Sequence, residues 1–417
     1  NFWKGVCILP EESPKPRLQA EVSARLPRPP KAVPRVEKSP PPRKKSPTKL
    51  RGTGKGSTQD KSKMKLTKFL LLACAACAAF ASVSGVAMAD DAALAPRQVP
   101  AKTVPVPSDV SPELQKLIAA PYNPAWNDLW TTGADWRKAA NTQAAGVVKN
   151  IPAMQARLGV TVQRSTINGV RVYIVTPNDI PPEHRDKVLI HIHGGCYELF
   201  PGEAGTTEAM MMAGLGHYKV ISVDYRMPPE GYFPAALDDV DTVYKAVLGK
   251  HDPKNVGVFG TSAGGALVLE LMLRAKQEGL QMPGAIAPGT PMADLTKVGD
   301  SFRTNEKVDN VLVSPDGFCH AAAVVYAHGH DLKDPLLSPI YGDMHGFPPA
   351  ILTTGTRDLL LSNTVRVHQK LQQSGVEAQL EVFEGMSHAQ YQMDDRVPEA
   401  KAAFAEITQF FDKHLGH

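Results

Sequence analysis

Hydrophobic positions after residue 168 alternate between short apolar runs and longer amphipathic stretches. The amphipathic stretches predict helices at 204–214, 235–248, 364–373 and 398–415, and the last places Phe404, Ile407 and Phe411 on one face. The apolar runs have the length of single strands and lie at 170–176, 187–192, 220–225, 256–259, around 286, at 350–354 and at 378–383. Strands that alternate with helices in this way predict an α/β fold with a mostly parallel central sheet flanked by helices.

Two further segments have helical character but no place in that alternation. Residues 111–158 carry tryptophans in a helical context, and 294–335 is inserted between two predicted strands. Both could cover a site on the sheet, so they predict a helical cap. The expected organisation is a linker with N-terminal cap helices at 90–165 and a catalytic domain at 166–417, with a cap insertion at about 294–335.

The first 63 residues differ in composition from the rest. They hold 11 prolines and 16 of the 46 Lys and Arg residues, but 5 of the 42 Asp and Glu residues. Such a basic, proline-rich stretch predicts disorder. The remaining 30 basic and 37 acidic residues give a net charge of −7, which makes nucleic acid an unsuitable partner for the catalytic part.

Residues 64–89 have the pattern of a secretory signal peptide. A basic start at Met64 is followed by an apolar run from Phe69 to Val86 and by Ala87-Met88-Ala89 before Asp90. We therefore expect translation to start at Met64, with residues 1–63 derived from the upstream reading frame, and an exported protein, periplasmic or secreted, without a stable membrane anchor. The alternative is that 1–63 is a basic arm that binds nucleic acid or a membrane surface.

The candidate nucleophile is Ser262, in Gly260-Thr261-Ser262-Ala263-Gly264 directly after the strand at 256–259. A serine at a tight strand-to-helix turn exposes its hydroxyl at the edge of a sheet, and flanking glycines make room for that turn. The alternative for this motif alone is a Gly-rich loop that caps a helix.

Three further signals make this serine part of a candidate triad with an oxyanion loop. The strand at 187–192 ends in His193-Gly194-Gly195, a loop that can present backbone N–H groups to an oxyanion. Asp358 follows the strand at 350–354, and His388 follows the strand at 378–383. The chain order Ser, Asp, His is the order that α/β-hydrolases use.

These motifs, with Asp224-Tyr225-Arg226, Pro229-Glu230 and Phe233-Pro234-Ala235-Ala236, resemble the hormone-sensitive-lipase-like branch of the α/β-hydrolases, bacterial family IV esterases, in the subgroup with Gly-Thr-Ser-Ala-Gly. The resemblance spans residues from about 170 to the C-terminus. It implies that Arg226 and Glu230 form a buried ion pair or a loop brace.

By the same resemblance, the oxyanion hole consists of the N–H groups of Gly194, Gly195 and Ala263, with His193 and Cys196 beside the pocket. Two departures from the family pattern stand out. Cys196 replaces the usual third glycine and is expected to alter the shape of the pocket, and Ala389-Gln390 replaces Gly-Phe after the histidine. Cys196 and Cys319 are the two cysteines after residue 90, and nothing in their spacing predicts a disulfide framework.

The prediction is a serine carboxylic-ester hydrolase that acts through an acyl-enzyme on small-molecule esters with short to medium acyl groups, without cofactor or metal. Two alternatives remain: an amidase, carbamate or lactone hydrolase with the same triad, and a non-catalytic binding protein on this fold. A homodimer is left open.

Overall fold

A computed structural model describes residues 96–416, of which 103–416 belong to one compact unit. Its centre is an eight-stranded sheet with the order β1-β2-β4-β3-β5-β6-β7-β8, in which β1 and β2 are antiparallel to their neighbours and the others run parallel. The strands are β1 Val160–Ile167, β2 Val170–Pro177, β3 Val188–Ile192, β4 Val220–Val223, β5 Val256–Thr261, β6 Ala285–Gly289, β7 Ala350–Gly355 and β8 Ala378–Phe383.

Ten α-helices lie in the described part of the chain. They are α1 Pro112–Ile118, α2 Gly133–Val148, α3 Ile151–Leu158, α4 Thr207–Gly216, α5 Ala235–Leu248, α6 Ala263–Glu278, α7 Ser301–Thr304, α8 Phe318–Ala327, α9 Leu361–Gln373 and α10 Pro398–His414. The predicted α/β fold class is therefore confirmed, and the helices predicted between the strands are all present.

The central strands are covered on both faces. Every residue of β3, β4, β5, β6 and β7 is buried, which explains why these strands read as continuous apolar runs. One hydrophobic cluster joins α5 and α6 to the sheet, and a second joins α4 and α10 to it. In α10, Phe404, Ile407 and Phe411 are buried, as the periodicity predicts.

Strand β1 was not predicted, because 90–165 was assigned to linker and cap helices. It forms a hairpin with β2 through Asn168 and Gly169, so the sheet begins at Val160, upstream of the predicted boundary at 166. The strand lies at the edge of the sheet, and most of its residues are only partly buried or exposed. An edge strand of this kind carries a weak hydrophobic signal.

Residues 1–95 lie outside the described part, so the signals predicted at 1–63 and 64–89 have no structural counterpart here. Within 96–416, no helix has both the length and the apolar character needed to cross a bilayer.

Candidate active site

Ser262 lies at the turn between β5 and α6 in a strained backbone conformation. Its φ and ψ are 63° and −119°, outside the regions that residues with a Cβ usually occupy. Its N–H donates to Gly289 O at 2.9 Å, and its carbonyl accepts from Met292 N at 3.0 Å. These bonds to the β6 end and the following loop hold the turn in place.

The two glycines that flank the turn are required by space. A Cβ on Gly260 or on Gly264 would overlap the carbonyl oxygen of Ile192, at the end of β3. Gly194 lies equally close, since a Cβ there would be 2.6 Å from Thr261 O and 3.4 Å from the Ser262 Cβ. The predicted oxyanion loop and the predicted nucleophile are thus adjacent.

The contacts of Thr261 explain why a threonine precedes Ser262 in the Gly-Thr-Ser-Ala-Gly motif. Its hydroxyl donates to the buried Glu208 carboxylate at 2.5 Å and lies 2.5 Å from the Tyr391 hydroxyl. Glu208 also contacts His191 Nε2 at 3.1 Å. The sequence offered no signal for Glu208 or Tyr391, because they lie 53 and 130 residues from Thr261.

His388 and Asp358 form a buried pair. The two side chains are 4% and 0% exposed, and His388 Nδ1 lies 3.0 Å from Asp358 Oδ1. Asp358 is held by further donors, with the Leu360 N–H at 2.7 Å on Oδ1 and the hydroxyls of Thr290 and Thr354 at 2.5 and 3.0 Å on Oδ2. The carboxylate therefore orients the imidazole and fixes its Nδ1 as the protonated nitrogen.

The electrostatics of His388 favour its cation. Burial lowers the pKa of the imidazole, but the charge and hydrogen bond of Asp358 and the charge of Asp309 outweigh it, so the pKa lies above its ordinary value. His388 Nε2 has no hydrogen-bond partner among the described residues. Bonds between a nucleophile and its base are often loose without substrate and tighten when substrate binds.

The oxyanion loop is held by His193 and Tyr225. His193 Nδ1 lies 2.7 Å from Gly194 O, Tyr225 donates to His193 O at 2.9 Å, and the two rings stack at 4.2 Å. Burial lowers the pKa of His193 to about 4, so this ring is neutral and its Nδ1–H is the donor. Gly195 has φ of 114°, a conformation that suits glycine.

Cys196 lines the cavity, but it is not a free thiol. It forms a disulfide with Cys319 in α8, with Cα atoms 5.2 Å apart. The bond joins the oxyanion loop to the insertion at 294–335. Sequence reasoning missed it because the two cysteines are 123 residues apart; the available signal was that they are the pair left after residue 90.

The loop after His388 carries Ala389 and Gln390 where the family usually has Gly-Phe. Ala389 takes φ of 56°, a left-handed conformation that glycine adopts more easily. Gln390 accepts from Ser387 N at 2.8 Å and donates to Leu117 O at 3.1 Å. The side chain that replaces the family's aromatic residue thus ties the His388 loop to the end of α1.

The expected ion pair between Arg226 and Glu230 is not formed. Arg226 pairs with Asp239 at 2.8 Å, whereas Glu230 pairs with Arg137 of α2 at 2.5 Å. Both residues brace loops, but each through a different partner.

The predicted site residues meet in one cavity of about 160 Å³. Ser262, His388, His193, Gly194, Gly195 and Cys196 line it. Ala263 follows Ser262 at the first position of α6, and Asp358 lies behind His388. Both predicted cap segments contribute to the wall, through Asn123, Gln143, Val147, Val311, Leu312 and Phe318. No group of three or more metal-ligating side chains occurs within 96–416.

Comparisons with known proteins agree with this fold. The family described as alpha/beta hydrolase fold matches residues 189–392. An esterase of Acinetobacter venetianus is 34% identical over 229 residues, which cover 54% of this chain and 74% of that esterase. The solved structure of the esterase E25 is 44% identical with a TM-score of 0.74, and the match covers 77% of this chain and 99% of E25.

An esterase from the bacterial hormone-sensitive lipase family is 27% identical with a TM-score of 0.63, and the match covers 73% of this chain and 99% of that structure. Fold and site therefore define an α/β-hydrolase. The chain belongs to the hormone-sensitive-lipase-like esterases, bacterial family IV, and is a carboxylesterase-type hydrolase.

Proposed function

We propose that the chain is a serine carboxylesterase that hydrolyses short to medium acyl esters through an acyl-enzyme. The observation that supports this most is the buried His388–Asp358 pair beside a strained Ser262 in one cavity. Apolar side chains, among them Leu199, Leu312 and Phe318, line that cavity, which suits the acyl chain of an ester.

In the proposed mechanism, Ser262 Oγ attacks the acyl carbon while His388 Nε2 takes its proton. Asp358 holds the imidazole and stabilises the cation that forms. The N–H groups of Gly194, Gly195 and Ala263 stabilise the oxyanion, and Ala263 is the first residue of α6, where the helix dipole favours negative charge. His388 then protonates the departing alcohol, and water repeats the two steps to release the acid.

The matched test uses Ser262→Ala and Ser338→Ala. Ser338 is a second buried serine, which accepts from Leu295 N at 2.9 Å and does not line the cavity. We expect Ser262→Ala to lose ester turnover and labelling by a fluorophosphonate while it stays folded, since the Ser262 side chain makes no capping hydrogen bond to α6. Ser338→Ala should keep both.

Wild-type turnover by Ser262→Ala would show that another residue is the nucleophile, and unlabelled, inactive wild-type protein would favour a non-catalytic binding protein. Pairs of ester and amide substrates with the same acyl group separate an esterase from an amidase. A ladder of acyl chain lengths tests the preference for short and medium chains.

We further propose that the protein is exported. The Cys196–Cys319 disulfide supports this, because structural disulfides persist in oxidising compartments.

A further inference from the structure

Asp309 is a second buried carboxylate beside His388, in the insertion at 294–335. Its side chain is fully buried and accepts four backbone N–H groups. Oδ1 accepts from Val311 at 2.8 Å and Leu312 at 3.1 Å, and Oδ2 accepts from Leu359 at 2.8 Å and His388 at 3.3 Å. One carboxylate thus joins the cavity wall to Leu359, the residue after Asp358, and to His388.

The next residue reinforces this connection to the base. Asn310 N–H donates to the Ser387 hydroxyl at 3.2 Å, and Asn310 Oδ1 accepts from Gln390 Nε2 at 3.1 Å. Contacts from Asp309 and Asn310 therefore reach the residues on both sides of His388 and His388 itself. These hydrogen bonds from the insertion fix the position of the His388 backbone, and therefore the point from which its imidazole projects.

If the role of Asp309 were purely structural, a neutral side chain would fill it with a smaller desolvation penalty. A buried charge is costly, and here burial and the charge of Asp358 raise the pKa of Asp309 to about 6. The hydrogen bonds of Leu359 and Val311 act in the opposite direction, as does His388. The titratable groups that act on Asp309 are Asp358 and His388, and those that act on His388 are Asp358 and Asp309.

We propose that Asp309 is a positioning residue for the reaction, which holds His388 by its backbone and stabilises the imidazolium together with Asp358. This proposal rests on the proposed function, because it needs His388 as the base. Two carboxylates then share one cation, which forms each time His388 takes a proton from Ser262 or from water.

The proposal predicts the direction in which the acid limb of the pH profile moves when the negative charge of Asp309 is removed. The negative charge of Asp309 raises the pKa of His388, so removing it lowers that pKa. The reaction needs neutral His388, so the acid limb of the profile moves to lower pH. At the same time the cation loses stabilisation, so the maximal rate falls.

The experiment compares pH profiles of kcat/KM on p-nitrophenyl acetate for wild type, Asp309→Asn and Asp309→Glu. We expect Asp309→Asn to lose about tenfold or more in kcat and to shift its acid limb down by about half a pH unit or more. Asp309→Glu keeps the charge and should keep the acid limb near that of wild type.

Asp294→Asn is the matched control. Asp294 is a buried carboxylate of the same insertion, with partners Thr296 at 2.8 Å and Arg366 at 2.7 Å. Its loss removes a buried charge without touching the triad, so the acid limb should stay in place.

An Asp309→Asn enzyme with the wild-type acid limb would overturn the proposal, whatever its rate. So would failure of both Asp309→Asn and Asp309→Ser to fold, since Asp309 would then serve the fold rather than the base. Neither result touches the assignment of Ser262, which is tested separately by labelling, so the two proposals fail in different ways.

Discussion

Single residues decide the chemistry of this site through strain and charge. Ser262 adopts a conformation that most residues avoid, and the space around it admits glycine at positions 260 and 264. His388 combines full burial with a raised pKa, because carboxylates outweigh the cost of burying its cation. In the proposed mechanism, the local environment therefore prepares both groups for proton transfer before substrate arrives.

The raised pKa of His388 predicts the pH dependence of the reaction. A base works when it is neutral, so activity should be present above the pKa of His388 and be lost as the pH falls through it. Because that pKa lies above 6.5, the acid limb of kcat/KM for an uncharged ester should have its midpoint above pH 6.5. A midpoint below 6.5 in a rate profile of the wild-type enzyme would contradict the electrostatic account.

At the level of elements, the oxyanion loop and α8 act as one unit because Cys196 and Cys319 join them. In the chain-entropy account a bond across so long a loop stabilises a fold by about 2–4 kcal/mol or more. We expect Cys196→Ser/Cys319→Ser to lose about that much free energy of unfolding and some kcat, since Gly194 and Gly195 precede the bond directly.

Denaturation in urea, with and without a thiol reductant, measures this effect. The reductant should lower the midpoint of wild type to that of the double variant, and the double variant should not respond. Equal midpoints for wild type under both conditions would show that the bond does not stabilise the fold.

The elements differ in how far the sequence predicts them, for physical reasons. Helix α5 has the predicted bounds 235–248, and the central strands were predicted because both of their faces are buried. Strand β1 was missed because an edge strand alternates weakly. Helix α9 begins at Leu361 rather than 364, because no capping side chain marks its start in the sequence.

The residues of the candidate site also differ in how far the sequence predicts them. Ser262, Asp358 and His388 follow strands in the order that the fold requires, so a linear pattern could predict them. Asp309 and the Cys196–Cys319 bond depend on segments far apart in the chain that meet only after folding. No local periodicity carries such information.

For the whole molecule, the prediction that remains is the start of the exported form. Translation from Met64 and signal cleavage after Ala89 would leave an acidic protein that begins at Asp90. N-terminal sequencing of protein recovered from the periplasm or medium should read Asp90-Asp91-Ala92. Residues before Asp90 on that protein, or activity confined to the cytoplasm, would contradict export by this route.

The Cys196–Cys319 disulfide also divides the proposed triad residues between two parts of the sequence. The covalent ring from Cys196 to Cys319 encloses Ser262, whereas Asp358 and His388 follow it in sequence. A cut in the exposed loop at His345 and Gly346 would therefore separate a fragment that contains Ser262 from a fragment that contains Asp358 and His388. The two halves would meet where β7 pairs with β6, so ester turnover on mixing them would report reassembly of the sheet. The order of these residues along the chain therefore suits a split-enzyme reporter, in which two separate fragments regain activity when they associate.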